Sequence, residues 1–593
     1  MNKSTLYNRK LPYGESNFKR IIGENSYYID RTQYIETIEN SDAKYVFLLR
    51  PRRFGKSLFV SMLEYYYGLQ YKEEFNQLFG QLYIGKNPTP GANAYLILSF
   101  EFSRIDTQSF ESTKQGFLSN VKNGIRTFFS NYDHIFDIED KTKVIDKQTV
   151  EDCLKELFTL YTEKKITTPV FILIDEYDHF ANELIAFNFN EFKSIVSENG
   201  FVRKFYESIK AATNTQIVGR FFATGVTPIT LDSLTSGFNI AKNFSTRQNL
   251  NQAMGFTEDE VKNLLEEVAK DRNFLLQIDQ IMPDLRKWYN GYLFHEDAAE
   301  RIYNPDMILH FILEYSQHQF KKYPKEIVDT NVLSDYGKIQ KLFQFKDKLR
   351  NYQLIERLIK QEEVKSELTQ VFNIEIRFTD DDFISLLFYM GYISIIGNDL
   401  NSIKFHIPNF VIKSVFYDYF AEIIRKESEL ELDIPDIREI VKQLAQENKI
   451  SPFIELIERT LKALSNRDMI HFDEKYIHLL FVAFANQAGF YYVKSQPEIE
   501  KKYPDVMFLY RPPFYPKFQF IFELKYLKKE DASKLEAKRK KATEQIKSYM
   551  QSKEMLDFIV RPEAGMETVK AYIAIFVGDK AEIVDEIEIQ EIE

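Results

Sequence analysis

The sequence holds a single cysteine, Cys153, in 593 residues. An internal disulfide is therefore impossible, and so is any zinc or iron–sulfur site built on several thiolates. Such sparse cysteine usage fits a reducing, cytoplasmic setting. Long hydrophobic runs are missing too. The longest (YVFLL, VFILI, QFIFEL, AYIAIFV) have the length of strands, well short of the ~20 residues a membrane helix needs. The opening MNKSTLYNRKLPYGESNFKR has no apolar core of a secretory signal. A soluble chain without a membrane partner is expected. Positive charge is not in excess: 77 Lys and Arg against 88 Asp and Glu leave a net charge of −11. That excludes a uniformly basic nucleic-acid coat protein, though not a local basic face. There is no repeat of fixed period and no low-complexity tract. No Ser-His-Asp or Cys-His arrangement stands out, and His295 and His310 show no metal-ligand spacing.

Aromatics are abundant, with 52 Phe and 36 Tyr, so the chain can bury extensive cores. The length suggests about four domains at ~150 residues each. In the first ~245 residues, the runs Lys44 to Leu49, Tyr95 to Phe100, Val170 to Ile174 and Arg220 to Gly225 are almost wholly apolar. Such runs fit strands covered on both faces, as in a parallel α/β sheet. From Gly255 the pattern turns helical, with Thr257 and Glu260 spaced as a capping box. Further on, a helix, a strand, a turn at Gly397-Asn398-Asp399, a strand and a helix suit a small winged-helix-like unit. Its Ile407-Pro408-Asn409 could meet DNA, or pack on a nucleotide-binding domain. The last ~125 residues return to α/β. They read as a helix over 473–487, strands near 506–510 and 519–524, a basic helix over 533–550 and a strand at 571–577.

The first strand runs into Arg50-Pro51-Arg52-Arg53-Phe54-Gly55-Lys56-Ser57 and then a helical pattern. A loop entering a helix N-terminus turns backbone N–H groups toward phosphates. Lys56 would reach the β/γ-phosphates and the Ser57 hydroxyl would ligate Mg²⁺. Arg50 falls where the first glycine of such a loop usually stands. The alternative is a basic turn capping a helix. About 120 residues later, Phe171-Ile172-Leu173-Ile174 ends in Asp175-Glu176. Asp175 would hold Mg²⁺ through water and Glu176 would polarise an attacking water. Thr224 ends a third strand, where AAA-type ATPases carry a γ-phosphate sensor; an ordinary strand threonine is the alternative. His179 could lie near a nucleotide or simply begin a helix.

Near the C-terminal end, Pro504-Asp505 precedes the strand VMFLY, and eighteen residues after Asp505 comes Glu523-Leu524-Lys525. Asp505, Glu523 and the Leu524 carbonyl are hard oxygen ligands suited to Mg²⁺, with Mn²⁺ also possible. Lys525 would position or deprotonate a water, or stabilise phosphate charge. Gln545 and Tyr549 follow at helical spacing and share a face. Between Lys501 and Met550, thirteen Lys and Arg oppose six acids, a local balance of +7. That is the footprint of a polyanion partner, or of a solvated lysine-rich helix.

Taken together, LPYGESNFKRIIGENSYYIDRTQYI, LLRPRRFGKS, LIDEYD, FFATGVTPI, GFTEDEV and WYNGYLF resemble the bacterial AAA-ATPase-like family over most of residues 6–320. That family, related to the STAND and archaeal ATPases, carries Arg-Pro-Arg-Arg-Phe-Gly-Lys-Ser as its own P-loop, and such proteins often act as nucleotide-gated switches. The resemblance implies an ATP cofactor site over Arg50 to Ser57 with Asp175 and Thr224. It also implies a contact from Asp30-Arg31-Thr32 to the base or the P-loop. Trp288 to Tyr292 and Tyr303-Asn304-Pro305 read as lid packing and turn residues. Residues ~466–580 resemble the QxxxY-bearing branch of the PD-(D/E)XK nuclease superfamily. This implies catalytic roles for Asp505, Glu523, Lys525, Gln545 and Tyr549, and a further acid at Glu474 or Glu498. Lys502-Tyr503-Pro504 departs from the Gly-Arg often found before the Asp.

The expected architecture is a multidomain α/β chain. It comprises a P-loop NTPase parallel-sheet core (1–250), a helical lid (251–330), a helical and winged-helix-like middle (331–465) and a restriction-endonuclease-like α/β domain (466–593). The expected function is an ATP-dependent or ATP-gated, Mg²⁺-dependent nuclease on nucleic acid, DNA first, in defence or mobile-element biology. The other reading is a nucleotide-dependent switch or scaffold whose nuclease-like domain only binds nucleic acid or a protein. A homo-oligomer and unknown protein partners stay open.

Overall fold

The computed structural model describes residues 9–103, 105–187, 194–195, 200–229, 238–337, 348–361, 363–372, 378–428, 434–464, 474–495, 504–551 and 568–588. They fold as two compact units. One comprises Met1–Lys321 with Ile327–Asn409, the other Lys322–Glu326 with Phe410–Glu593.

The core of the first unit is a five-stranded, all-parallel sheet. Its strands are β1 (Tyr45–Leu49), β2 (Leu96–Glu101), β3 (Val170–Asp175), β4 (Val218–Gly225) and the short β5 (Lys242–Asn243), in the order β2-β3-β4-β1-β5. The apolar runs form it because both faces are covered: Val170 to Ile174 are buried without interruption. Helix α1 (Lys56–Tyr67) leaves β1 directly. Helices α2 (Phe110–Asn131) and α3 (Val150–Glu163) lie between β2 and β3. Helices α4 (His179–Phe187) and α5 (Phe201–Asn214) lie between β3 and β4. The parallel order leaves β1 and β3 on either side of β4, so the loops after all three strands open at one end of the sheet.

The lid follows as α6 (Glu258–Asp271), α7 (Ile278–Tyr289) and α8 (Pro305–Gln317). Thr257 and Glu260 form the capping box on α6. Trp288, Tyr289 and Tyr292 are buried, and Asn304 caps α8, so these are packing and turn residues. Helix α9 (Thr330–Gly337) comes next. A small sheet then assembles from β6 (Val364–Ser366), β7 (Ser394–Asp399) and β8 (Ser402–His406), in the order β6-β8-β7, with helix α10 (Asp380–Tyr389) before β7. The turn expected at Gly397-Asn398-Asp399 is not there. A register shift between Ile395 and Gly397 absorbs the glycine within β7, and the chain reverses at Leu400, whose φ is +55°. The Ile407-Pro408-Asn409 stretch packs on the lid: the Asn409 amide donates to the Asn290 carbonyl (3.0 Å). A Cβ on Gly291 (φ +113°) would lie 2.1 Å from the Pro408 oxygen, so only glycine fits there.

The second unit begins at Phe410. Helices α11 (Phe410–Ser428), α12 (Ile434–Glu447) and α13 (Ser451–Leu464) pack with the C-terminal sheet, not with the middle region expected to reach residue 465. Helix α14 (Glu474–Gln487) follows. The mixed sheet comprises β9 (Tyr491–Ser495), β10 (Val506–Tyr510), β11 (Gln519–Leu527), β12 (Val569–Val577) and β13 (Lys580–Ile587), in the order β13-β12-β11-β10-β9. Only β11 and β12 are parallel, and their crossover carries α15 (Leu535–Met550). A short 3₁₀ turn over Lys529–Lys534 replaces the first residues of the helix expected from Ser533.

The two-residue period of the strands sorts the side chains cleanly. Met507, Leu509, Ile521, Ala571, Ile573 and Ile575 cluster with Ala542, Ile546 and Tyr549 of α15. Phe508 and Phe522 take the other face, against Phe453 of α13 (5.9 Å) and Phe481 of α14 (5.2 Å).

Candidate functional site

Two candidate sites stand out among the described residues, one in each unit. In the first, Gly55 takes φ +90° and Arg53 φ +68° as the loop turns into α1. Left-handed geometry is cheapest for glycine, which accounts for Gly55. The Lys56 ammonium is buried and donates to the Pro51 carbonyl (3.1 Å), closing the loop on itself. Desolvation lowers its pKa, opposed by the charges of Glu176 and Asp175. The Ser57 hydroxyl is hydrogen-bonded to the Asp175 carboxylate, which joins the two halves of the motif. Burial pushes Asp175 up to about 6, against the Ser57 bond and the Lys56 charge. Glu176 sits in the left-handed region (φ +51°) beside His179, whose Nε2 lies 4.0 Å from its carboxylate. Behind this pair, Asp178 accepts from the amides of Val226 (3.0 Å) and Thr227 (2.6 Å), clamping the β3 loop to the end of β4. A Cβ on Gly225 would come within 2.1 Å of that Asp178 carboxylate.

Gly55, Lys56, Ser57, Glu176 and His179 line a cleft of about 430 Å³. Its lining includes Arg52, Arg53, Phe54, Gly55, Lys56, Ser57, Glu176 and His179 on the polar side, and Tyr27, Tyr28, Ile29 and Phe256 on the other. His179 thus both starts a helix and reaches the cleft.

Arg50 is not part of that lining. Its guanidinium is buried and donates to the carbonyls of Leu49 (2.8 Å), Ser245 (2.8 Å) and Leu250 (2.6 Å), with the Phe294 ring 4.1 Å away. It ties β1 to the segment leading to the lid, and burial without a carboxylate lowers its pKa. Pro51 contributes only its carbonyl to Lys56. Thr224 is fully buried with its hydroxyl donating to the Leu48 carbonyl (2.7 Å), so it does not face a phosphate. The Asp30-Arg31-Thr32 element divides. Arg31 lines the cleft but forks onto Glu260 of the lid (2.5 Å twice), while Asp30 accepts from Thr32 and the Tyr83 amide.

In the second unit, Asp505, just before β10, continues the antiparallel register opposite Glu523, which lies in the middle of β11 and pairs with Ile573 of β12. The Lys525 ammonium lies 2.8 Å from Glu523, 3.3 Å from Asp505 and 3.4 Å from Glu474 of α14, and donates to the Leu524 carbonyl (3.0 Å). The Leu524 amide donates to Asp505 (2.7 Å). Asp505, Glu523 and Lys525 are all buried. Desolvation, reinforced by the Asp505 charge, raises Glu523 to about 7 despite Lys525. Burial works the same way on Asp505, but His478, Lys525 and the Leu524 amide outweigh it and hold its pKa below the usual range. Lys525 is raised by the surrounding carboxylates despite its own burial. The Gln545 amide is hydrogen-bonded to the Tyr549 hydroxyl, whose pKa is pushed up to about 12 by burial and the nearby carboxylates. Glu498, Lys501 and Lys502 lie outside the described residues.

Sequence reasoning missed His478. Its Nε2 lies 3.4 Å from Asp505 Oδ1, and Glu474, His478 and Asp505 can offer ligand atoms within 4.8 Å of one another. The signal was Glu474 and His478 at i and i+4, one turn apart on one helix face. The residues fit a divalent metal. Glu523 Oε2 is buried without a hydrogen-bond partner among the described residues, while His478 Nε2 meets the Asp505 carboxylate at 3.4 Å. Unpaired buried atoms of this kind are costly unless something else satisfies them. Carboxylates with a carbonyl and one imidazole suit Mg²⁺ or Mn²⁺.

Comparison with known proteins agrees with this geometry. Residues 12–235 match the family described as "predicted AAA-ATPase", and residues 472–586 match the PD-(D/E)XK nuclease superfamily. The chain therefore carries an AAA-ATPase-like domain and a PD-(D/E)XK superfamily domain, which imply use of a nucleotide and of a divalent metal. A curated relative, described as an uncharacterised protein in the vnfD 5′ region of Azotobacter chroococcum mcd 1, is 25% identical over 327 residues, 53% of each chain. The chain thus spans about half the length of that relative. Among solved structures, the Walker-type ATPase paby2304 of Pyrococcus abyssi aligns with TM-score 0.36 and 13% identity, covering 65% of this chain and 94% of that one. Among the described residues, no helix is long and apolar enough to cross a membrane.

Proposed function

We propose that the chain is an ATPase joined to a Mg²⁺- or Mn²⁺-dependent nuclease that cuts DNA under control of the bound nucleotide. The observation that carries the nuclease half is the buried convergence of Asp505, Glu523, Lys525, Glu474 and His478, with Glu523 Oε2 left unpaired among the described residues. A structural ion pair would not need two desolvated carboxylates, an imidazole and an orphaned oxygen. At this site Asp505, Glu523, His478 and the Leu524 carbonyl would hold the metal, with Glu474 within reach. A bound ion there supplies Lewis acidity toward a phosphodiester and an acidified water. Lys525 keeps its proton, and its ammonium is placed to stabilise charge gathering on the phosphate. Tyr549, on the Gln545 face of α15, keeps its hydroxyl proton and can donate to the substrate or an attacking water. The lysines of α15 supply cations on the same helix that carries Tyr549.

In the first unit, the loop from Pro51 to Ser57 would cradle the phosphates of ATP. Lys56 would move from the Pro51 carbonyl to the phosphate oxygens, Ser57 and Asp175 would position Mg²⁺, and Glu176 would orient the attacking water. The Arg31–Glu260 fork links the cleft wall to the lid, which gives nucleotide occupancy a route to lid position.

The test is a cleavage assay on single- and double-stranded DNA and RNA with Mg²⁺ or Mn²⁺, with and without ATP. Glu523→Ala is expected to abolish cutting, and Lys56→Ala to remove the ATP dependence. Equal cutting by the parent and both variants would refute the reading.

A further inference from the structure

The two arginines of the phosphate-binding loop that face the cleft already hold an anion. Arg52 Nη1 lies 2.7 Å from Asp335 Oδ1, and Arg53 Nε lies 3.0 Å from Asp335 Oδ2. One carboxylate of α9 thus bridges two consecutive loop side chains from nearly three hundred residues away in sequence. Asp335 is largely shielded and lines the same cleft as Gly55, Lys56 and Ser57. Burial alone would push its carboxyl up, but the two guanidiniums more than offset this and hold its pKa below the ordinary range, so the pair is ionised. A second carboxylate, Asp306 at the start of α8, also faces Arg53, and its Oδ2 is buried with no hydrogen-bond partner among the described residues.

Guanidinium groups bind carboxylates and phosphates through the same N–H donors. A triphosphate entering this loop brings several negative charges to those donors. Asp335 already takes one nitrogen of Arg52 and one of Arg53, and Asp335 with Asp306 would repel the incoming charge. We propose that Asp335 is an internal stand-in for nucleotide phosphate: it occupies Arg52 and Arg53 in the empty cleft, and ATP displaces it, releasing α9. This rests on the nucleotide reading of the cleft and adds its regulation. Linkage makes the competition reciprocal: whatever ATP does to the Asp335 contact, losing that contact does to ATP affinity in the opposite sense. Helix α9 lies in sequence between the lid helix α8 and the small sheet of β6, β7 and β8. Its release would carry the state of the cleft into that region.

The experiment uses the full chain. ATP affinity with Mg²⁺ is measured by calorimetry for the parent and for Asp335→Asn, and hydrogen exchange of residues 330–337 is followed with and without ATP. Asp335→Asn is expected to bind ATP roughly fivefold more tightly or better, the low end of typical coupling. Saturating ATP is expected to speed exchange in α9 of the parent. In Asp335→Asn, α9 exchanges fast without ATP. Unchanged or weaker ATP binding by a folded Asp335→Asn, or α9 exchange that ATP leaves unchanged or slows, would overturn the proposal. Should Asp335→Asn fail to fold, the exchange result on the parent decides by itself. A parent that binds no ATP at all would sink the nucleotide reading and this proposal together, whereas ATP binding with an unresponsive α9 sinks this proposal alone.

Discussion

The two sites draw on the same residue types, a lysine and a pair of carboxylates, and use them in opposite ways. At the loop after β1, the Lys56 ammonium donates to one backbone carbonyl; Asp175 is hydrogen-bonded to Ser57, Glu176 lies beside His179, and both reach Lys56 only through their charge. On β11, Lys525 sits among three carboxylates within 3.4 Å. The first site is built by the backbone: a turn, a left-handed glycine and a helix N-terminus make it before any ligand arrives. The second is built by side chains from β10, β11 and α14, and its charges do not balance well in isolation, because Glu523 and Asp505 are desolvated together. A preformed cradle can stand empty at little cost, whereas a buried carboxylate pair is at ease only when a cation joins it.

The sharpest break in this comparison is the two lysines. Lys525→Ala leaves buried, uncompensated carboxylates and is expected to destabilise the metal-free protein by about 3–5 kcal/mol. Lys56→Ala removes a buried cation that makes no ion pair among the described residues and is expected to change stability by less than about 1 kcal/mol while abolishing ATP binding. Chemical denaturation of both variants, with ATP titration of the second, checks this. Equal destabilisation by the two would erase the distinction drawn above.

Arg50 comes next. It supplies three hydrogen bonds from a charged group, each worth about 1.5–3 kcal/mol in favourable cases, set against its own burial. Arg50→Met is expected to lower the stability of the first unit by roughly 2–4 kcal/mol, with ATP affinity changed less than threefold while the unit stays folded. A large loss of ATP affinity in a folded variant would return Arg50 to the phosphate cradle.

The pH response should also separate the sites. Glu523 has a folded-state pKa of about 7 against an ordinary value of 4.5. A carboxyl raised on folding contributes fully below its unfolded pKa, and that contribution is lost as pH rises through the folded value. Glu523→Gln is therefore expected to leave metal-free thermal stability unchanged at pH 4 and to raise it progressively up to pH 8. Mn²⁺ should stabilise the parent increasingly over the same range as it displaces the proton, and Glu523→Gln only weakly. His478→Ala should cost about 10- to 100-fold in Mn²⁺ affinity if the imidazole helps hold the ion. A flat profile for Glu523→Gln would mean the carboxylate pair is already solvated.

How far the sequence announced all this follows from the same contrast. The loop site is contiguous, and the strand–loop–helix order locates Gly55, Lys56, Ser57 and Asp175 without a structure. Sequence could not say which way a side chain turns. Arg50 and Thr224 occupy phosphate-facing positions of the pattern, yet Arg50 turns into the interior and Thr224 spends its hydroxyl on Leu48. At the second site, Asp505, Glu523 and Lys525 were legible because they adjoin apolar runs, though β11 runs on past them to Leu527, and Glu474 because it opens the preceding helix. His478 was not, since a histidine amid Tyr476, Ile477, Leu479 and Leu480 reads as core. The edge strands β9 and β13 escaped for a related reason. Tyr491–Ser495 is too short to show a period, and Lys580–Ile587 alternates charges with few buried positions. The fate of residues 410–464 depended on which apolar surface their helices cover, which only the aromatic face of the C-terminal sheet decides.

The smallest expected effect concerns the basic helix, and it asks whether the second site meets a polyanion at all. Its cations are not equivalent. Arg539 is tied to Asp585 (2.8 Å) and Lys534 to Asp531 (2.7 Å), whereas Lys540 and Lys547 have no ion-pair partner among the described residues. Seven residues apart, those two lie on one face of α15. If that face follows a DNA backbone, each lysine displaces condensed counterions. The slope of log affinity against log salt should then flatten by about 0.9 for each one removed. Lys540→Ala with Lys547→Ala is expected to flatten it by roughly 1.8, while Arg539→Ala, already neutralised by Asp585, should change it by less than half of one such step. Fluorescence anisotropy of a DNA duplex across a salt series, with Glu523→Ala as background to prevent cutting, measures all three slopes. Equal slopes for the parent and the double variant would make α15 a solvated face, and would move the nucleic-acid contact, if there is one, to another surface of the second unit.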